Sequence, residues 1–296
     1  FNFTIESINA VLMHTRLPAV NTSLDVLLPV GISFYTFQAL GYTVDVYRGE
    51  IRAEHNFFRY ALFVSFFPQL VAGPIERSKN LLTQLQNPGK FEYRRMCDGL
   101  MLMIWGYFLK LVIADRIAIF VIYDGRYLLL ASILFAIQIY CDFGGYSTIA
   151  IGAAEVMGFQ LMDNFDCPYL SQSVSEFWRR WHISLSSWFK DYLYIPLGGN
   201  RKGKVRKYVN IMIVFLVSGL WHGANWSYVV WGGLNGLYQV FGAIFTPVKR
   251  KVKEKICVRK NFLPITLVNM LITFIVVDFA WIFFRADTMQ HAYAVI

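Results

Sequence analysis

Long apolar runs are the feature that most restricts how this chain can fold. A helix needs about 20 residues to cross the hydrocarbon core of a bilayer, and several runs approach or exceed that length. A soluble core of this size would need shorter and more amphipathic helices. The pattern predicts an all-α integral membrane protein built as a multi-helix transmembrane bundle. The predicted spans are 24–47, 57–75, 99–122, 127–158, 208–222, 226–247 and 263–284.

Two of these spans contain residues that disturb a helix. Pro29 and Gly31 should kink the first span, and Pro68 and Pro74 should end or bend the second, because proline removes a backbone donor and clashes with the preceding turn.

Basic residues account for a formal net charge of +9. They cluster in three stretches between apolar runs, at 77–95, 201–207 and 249–260. The positive-inside rule produces this distribution in membrane proteins, so the charge does not indicate a nucleic-acid partner. If all three stretches face the cytoplasm, an even number of crossings must separate each pair, and the predicted spans satisfy this. We therefore expect a multi-pass protein of the cytoplasmic membrane, with the lipid bilayer as its first partner.

The segment 173–197 has no crossing to make in this topology. It mixes Trp and Tyr with Arg, Lys and Asp, a composition typical of an interfacial or re-entrant helix. On such a helix, spacings of three and four would place His182 on one face with Trp178, Arg179, Leu185 and Ser186.

Two histidines lie in strongly apolar, tryptophan-rich sequence. His182 follows Trp181, and His222 follows Trp221. An ionisable side chain inside a membrane is a functional candidate because its burial is costly, and histidine titrates near neutrality, so it is suited to moving a proton. We predict that both are catalytic. The structural alternatives are that His222 bonds a neighbouring carbonyl and that His182 keeps its polar edge in water.

A helix break after His222 predicts a central tunnel. The run 208–222 would cover about 22 Å of a 30 Å core, which places His222 within the hydrocarbon depth. Gly223 and Asn225 then interrupt the helix, and broken backbone at that depth is tolerated only beside protein or a water-filled cavity. Further candidates for the tunnel lining are Trp178, Arg179, Asp142, Trp221 and Asn225.

Asp142 has an alternative role as the simple ion-pair partner of a buried donor. The four cysteines show no Cys-x-x-Cys spacing and no histidine at zinc-ligand distance, so we expect no bound metal. We also expect no bound cofactor. Phe1 is not an initiator methionine, and no polar tail closes the chain at Ile296. We interpret residues 1–296 as a single membrane-embedded domain that lacks spans at both ends.

Three motifs carry a family resemblance. Glu176-Phe-Trp-Arg-Arg-Trp-His-Ile-Ser-Leu-Ser186, Asp191-Tyr-Leu-Tyr-Ile-Pro-Leu-Gly-Gly-Asn-Arg201 and Gly219-Leu-Trp-His-Gly223 closely resemble the membrane-bound O-acyltransferases (MBOAT). The most similar branch holds the bacterial alginate O-acetyltransferase membrane subunit and the teichoic-acid D-alanyl transfer protein. The segments 28–33, 67–77 and 164–169 also resemble that branch.

The resemblance implies a helical bundle around a tunnel or funnel, with His222 as the central catalytic residue and His182 assisting. It implies transfer of an acyl group, acetyl above all, to hydroxyls of a cell-surface polysaccharide or other envelope glycopolymer. The donor could be acetyl-CoA, an acyl carrier protein thioester or a lipid. An extracytoplasmic acetyltransferase partner could complete the transfer. Thr148 stands where many alginate-type members carry Asp, which puts alginate in doubt as the acceptor. A transporter or flippase with histidines as a proton relay, and a non-catalytic scaffold, remain as alternatives.

Overall fold

The computed structural model describes residues 2–15, 31–121, 127–255 and 262–295. Within these ranges the regular secondary structure is helical, joined by loops, and the only strand-like pairing is an isolated antiparallel bridge between Phe165 and Trp181. The helices are α1 (Asn2–Thr15), α2 (Ile32–Tyr47), α3 (Phe57–Val64), α4 (Ser78–Gln86), α5 (Tyr93–Tyr107), α6 (Asp115–Ala118), α7 (Leu128–Val156), α8 (Val174–Arg180), α9 (Ile183–Phe189), α10 (Gly203–His222), α11 (Trp226–Lys255), α12 (Leu263–Arg285) and α13 (Met289–Val295). The predicted all-α membrane fold is confirmed at this level.

Three of the described helices are long and apolar enough to cross a membrane. They are the continuous helix Tyr93–Ala118, α7, and α12. The first joins α5 to α6 through a π-helical segment, Phe108–Ala114. These three helices correspond to the predicted spans 99–122, 127–158 and 263–284.

The helix Tyr93–Ala118 packs against α7 through pairs of glycines. A Cβ atom on Gly106 would lie 2.6 Å from the carbonyl oxygen of Gly145, and one on Gly99 would lie 2.7 Å from that of Gly152. Glycines at such crossings let two backbones approach, which is how helices pack closely in membranes. The two helices therefore form one tight antiparallel pair.

Helices α10 and α11 form a second hairpin, and both are longer than predicted. The helix α10 begins at Gly203 rather than at residue 208 and has 20 residues, so at 1.5 Å per residue it covers about 30 Å. The apolar run 208–222 itself stays short, because the basic stretch 203–207 supplies the first turns of α10. Neither α10 nor α11, which correspond to the predicted spans 208–222 and 226–247, is among the three described helices that are long and apolar enough to cross a membrane. The helix α11 continues past residue 247 to Lys255.

The predicted span 57–75 is wrong. The helix α3 has eight residues and ends at Val64, and only a 3₁₀ turn, Phe67–Gln69, follows. Eight residues cover about 12 Å, far less than the thickness of a bilayer core. The predicted disruption by Pro68 is confirmed, since the helix ends before it.

The first predicted span lies partly outside the described residues. Its part 24–30, with Pro29, is not among them, and Gly31 precedes α2 in a left-handed conformation with φ of 79°. The predicted kink at Pro29 therefore stays a prediction.

The segment between α7 and α10 makes no crossing, as the sequence predicts. It contains α8 and α9, each of seven residues, and a π-helical segment, Lys190–Tyr194. Its buried aromatic side chains belong to two separate hydrophobic clusters. In the first, Phe177 and Trp181 pack with Trp231 of α11 and Trp281 of α12. In the second, Trp188 and Phe189 pack with Ile75. This inserted segment thus lies between the helical hairpins and α2.

Candidate active site

His222 is the last residue of α10, where the helix breaks. Gly223 continues in extended backbone with φ of 174°, and α11 begins three residues later. A Cβ atom on Gly223 would collide with the Tyr228 ring, 2.6 Å from its Cδ2 atom. The predicted break after His222 is confirmed, and a larger residue than glycine there would have to displace the Tyr228 ring.

Aromatic rings surround the half-buried His222 imidazole. Its centroid lies 4.7 Å from the Trp221 ring, 5.0 Å from that of Trp231 and 5.2 Å from that of Phe284. The last two approach nearly perpendicular to the imidazole, at 87° and 79°. Rings from α10, α11 and α12 therefore hold the imidazole in a fixed orientation within an apolar site.

His182 lies at a second break, between α8 and α9. Trp181 is extended, and His182 itself adopts a left-handed conformation with φ of 44° and ψ of 55°. The expectation that His182 shares a continuous helical face with Trp178, Arg179, Leu185 and Ser186 is wrong, because the helix stops at Arg180 and restarts at Ile183. The left-handed region is uncommon for residues other than glycine, and residues held in it cluster at functional sites.

Trp221 brings the two histidines together. Its ring centroid lies 6.3 Å from that of His182 and 4.7 Å from that of His222. It also lines a largely apolar cavity of about 240 Å³ with residues of α2: Ile32, Ser33, Thr36, Phe37 and Leu40. The Trp221 indole Nε1 is buried and has no hydrogen-bond partner among the described residues.

A buried polar network holds His182. The Oδ1 atom of Asn164 lies 3.1 Å from His182 Nδ1 and accepts hydrogen bonds from the backbone N–H and the hydroxyl of Ser184, at 3.3 and 2.9 Å. Asn164 Nδ2 donates to the hydroxyl of Ser147, which donates to the carbonyl of Ala72. His182, Asn164, Ser184 and Ser147 are each at most 2% exposed. His182 therefore belongs to an internal network rather than to a wet interface.

Trp178 and Arg179 occupy different surroundings. The Trp178 indole packs on Trp231 at 5.7 Å and donates a hydrogen bond to the buried Asn235. Trp178 is thus one ring removed from His222. The Arg179 side chain is exposed on α8. Their predicted role in a tunnel lining stays a prediction.

Asp142 forms an ion pair at the helix pair α5–α7. Lys110 Nζ lies 2.8 Å from Asp142 Oδ1 and 2.7 Å from Asp115 Oδ1. The next residue, Phe143, contacts the His182 ring at 4.7 Å. The structure thus places Asp142 beside the site and pairs its carboxylate with Lys110. Because the Lys110 side chain is 31% exposed, it is not the buried donor of the alternative role, and the predicted tunnel-lining role of Asp142 stays a prediction.

Asn225 holds the loop that follows His222. Its Oδ1 accepts from the backbone N–H of Ser227, and its Nδ2 donates to the carbonyl of Asp287 at 2.7 Å. The first bond caps the start of α11, as Asn commonly does, and the second ties this loop to the end of α12.

Asn164, Ser184 and Ser147 were not predicted as site residues. Asn164 and Ser184 lie inside segments that resemble the family, but a polar residue in a motif does not say what it contacts. Among the described residues, no group of three or more His, Cys, Asp or Glu side chains could hold a metal ion.

Comparison with known proteins identifies the family. The model of the membrane-bound O-acyltransferase family matches residues 48–279, which is most of the chain. The chain belongs to this family. Both histidine motifs and the network around Asn164 lie within the matched range.

Curated members of the family are similar over nearly the whole chain. A probable alginate O-acetylase AlgI of Pseudomonas putida is 40% identical over 98% of this chain and 59% of its own length. A peptidoglycan O-acetyltransferase of Helicobacter pylori is 36% identical over 93% of this chain and 57% of its own length. A teichoic acid D-alanyltransferase of Streptococcus thermophilus is 28% identical over 80% of this chain and 62% of its own length. The chain spans less than two thirds of the length of these relatives.

Proposed function

We propose that this chain is the catalytic part of a multi-pass O-acyltransferase of the cytoplasmic membrane. The acyl group, acetyl in the simplest case, would pass from a cytoplasmic thioester to hydroxyls of a cell-surface polysaccharide or other envelope glycopolymer. A membrane partner enzyme on the outer side could take the acyl group before the final acceptor. The observation that carries the proposal is the placement of His182 and His222 against one indole ring, in a chain of the acyltransferase family.

In the proposed reaction His222 acts as the general base. It takes the proton of the acceptor hydroxyl while the hydroxyl oxygen forms a bond to the carbonyl carbon of the thioester. The carbon–sulfur bond then breaks, and the thiolate leaves and recovers the proton from the imidazolium. Proton transfer of this kind contributes about 10²–10⁴-fold to a rate. The aromatic rings around His222 exclude water that would otherwise hydrolyse the thioester.

The relatives support the reaction class and leave the acceptor open. Their names refer to alginate, peptidoglycan and teichoic acid. Thr148, at the position where an Asp is expected in alginate-type members, donates its hydroxyl to the carbonyl of Gly144 within its own helix. We propose a hydroxyl-bearing envelope glycopolymer, with acetyl-CoA or an acyl carrier protein as donor.

The test is the ester content of purified surface polymers from cells that make the full-length protein. His222→Ala, at matched membrane abundance, should slow the transfer by about 10²–10⁴-fold and so remove most of one ester class. His55→Ala changes an exposed histidine and should leave the esters unchanged. Loss of the esters would also identify the acceptor polymer.

Unchanged esters in the His222→Ala strain would overturn the proposal. A transporter would then show substrate movement without acylated product, and a scaffold would tolerate loss of both histidines while its partner still docks.

A further inference from the structure

Asn164 is held rigidly beside His182 by backbone hydrogen bonds. The backbone N–H of Ile183 donates to the Asn164 carbonyl at 3.0 Å, and that of Asp166 donates to the Arg180 carbonyl at 2.9 Å. These bonds clamp the chain on both sides of His182, which explains how its left-handed backbone persists. The Asn164 side chain, 1% exposed, therefore has a fixed position relative to the imidazole.

The orientation of the Asn164 amide follows from its partners. A backbone N–H can only donate, so the Asn164 atom that faces the Ser184 N–H must be the carbonyl oxygen, Oδ1. The opposite end, Nδ2, then donates to the Ser147 hydroxyl. The Ser184 hydroxyl lies 2.9 Å from Asn164 Oδ1 and 3.4 Å from His182 Nδ1, so it donates to the closer Oδ1. Because Oδ1 can only accept, His182 Nδ1, 3.1 Å away, bonds it only when Nδ1 carries a hydrogen.

We propose that Asn164 is a positioning residue that holds His182 as the Nδ1–H tautomer and leaves the lone pair on Nε2. The inference rests on the proposed acyltransferase function and assigns His182 a specific part in it. A neutral imidazole in this state accepts a hydrogen bond at Nε2 and cannot donate one there. His182 in this state is suited to accept a hydrogen bond from the hydroxyl-bearing acceptor and cannot donate one to the oxyanion of the thioester.

The neighbours of His182 agree with a neutral imidazole. From α7 it meets the Phe143 ring and, through Asn164, the Ser147 hydroxyl. From α10 it meets the Trp221 ring, which also contacts the imidazole of His222, the nearest ionisable side chain on that helix. A second positive charge beside His222 would disfavour the proton uptake that a general base must perform. One histidine thus orients the acceptor while the other takes its proton.

The direct test is the protonation state of each ring nitrogen. Full-length protein in lipid membranes, labelled with ¹⁵N-histidine, gives separate nitrogen signals for protonated and unprotonated positions. The His182 signals are those lost in His182→Gln. We expect a protonated Nδ1 and an unprotonated Nε2, and Asn164→Leu should abolish this preference. A protonated Nε2 in the unchanged protein would overturn the inference, whatever the outcome for His222→Ala.

Acyl-transfer assays provide a second test. Asn164→Leu should raise KM for the acceptor and lower kcat/KM at least tenfold. Asn164→Asp keeps the accepting oxygen but adds a negative charge that favours the imidazolium form of His182. The acid limb of the pH–activity profile should therefore move to higher pH, and activity should return at high pH. If Asn164 had only a structural role, both variants would lose the same share of acyl-transfer activity and the pH profile would not move. That result would overturn the inference.

A control keeps folding separate from positioning. Ser171 is fully buried nearby in the sequence, and its hydroxyl has no hydrogen-bond partner among the described residues. Ser171→Ala should therefore match the unchanged protein in abundance, kinetics and ¹⁵N signals.

Discussion

At the scale of single residues, Lys110 is the cation on which two carboxylates depend. Its ammonium lies within 2.8 Å of both Asp115 and Asp142. Lys110→Met leaves two carboxylates facing each other in an apolar run, whereas Asp142→Asn leaves one complete ion pair. Because these side chains are partly exposed, we expect Lys110→Met to lower the free energy of unfolding by about 1 kcal/mol at most, and Asp142→Asn to lower it by less. Thermal unfolding in detergent measures both, and equal shifts would contradict the shared-cation interpretation.

The sequence predicted that His182 and His222 belong to the site, but not which residues hold His182. The run from Glu176 to Phe189 has helical spacing throughout, and nothing local to it requires a break at Trp181. The break comes from tertiary contacts, since residues 164–166 bond the backbone on either side of His182. Asn164, 18 positions away, could not be connected to His182 from spacing alone. His222 was easier to interpret because glycine directly follows it.

At the scale of helices, the glycine contacts between α5 and α7 make a sharp prediction. A Cβ on Gly152 would lie 2.5 Å from the Gly99 carbonyl oxygen and 2.9 Å from Met103. Because the obstacle is backbone, the helices would have to separate. We expect Gly152→Ala to lower the free energy of unfolding by about 1–3 kcal/mol, as overpacking does.

Gly242 in α11 is the matched control for this substitution. A Cβ there would meet nothing within 4 Å, and alanine gains roughly 0.5–1 kcal/mol over glycine in a helix. Gly242→Ala should therefore unfold at the same or a slightly higher temperature in detergent. A Gly152→Ala protein as stable as Gly242→Ala would refute close packing of α5 on α7.

Hydropathy predicted helices well where the run was long and uninterrupted. The spans around α7 and α12 were located within a few residues. Hydropathy failed at 57–75, where Pro68 ends the helix and the remaining apolar side chains serve a core; Phe63 and Phe66 are buried with Leu81 and Leu82 of α4. An apolar run indicates burial, and only length separates burial in protein from burial in lipid.

At the scale of the whole molecule, side-chain bonds group the helix ends on two sides. Asn225, after α10, bonds the Asp287 carbonyl after α12. On the other side, Arg77 pairs with Asp191 at 2.8 Å, and the backbone of Gln160, after α7, donates to Gln84. These bonds agree with the topology expected from the basic stretches, in which α10 and α12 each begin on the basic side and end on the other.

This grouping predicts opposite exposure for the two ends of α10 and α12. Lys202 precedes α10, Asp287 follows α12, and both are exposed. In a cysteine-free background, Lys202→Cys should react with an impermeant thiol reagent only after the cytoplasmic side is opened, and Asp287→Cys should react in intact cells. The reason is that the first turns of α10 carry Lys204, Arg206 and Lys207, which the positive-inside rule keeps in the cytoplasm. The 20 residues of α10 are about 30 Å long, so we expect α10 to reach the other side although it is not one of the three described helices apolar enough to cross alone. Labelling of both positions from one side would contradict this, and would place the basic loop and the histidine break on the same face of the membrane.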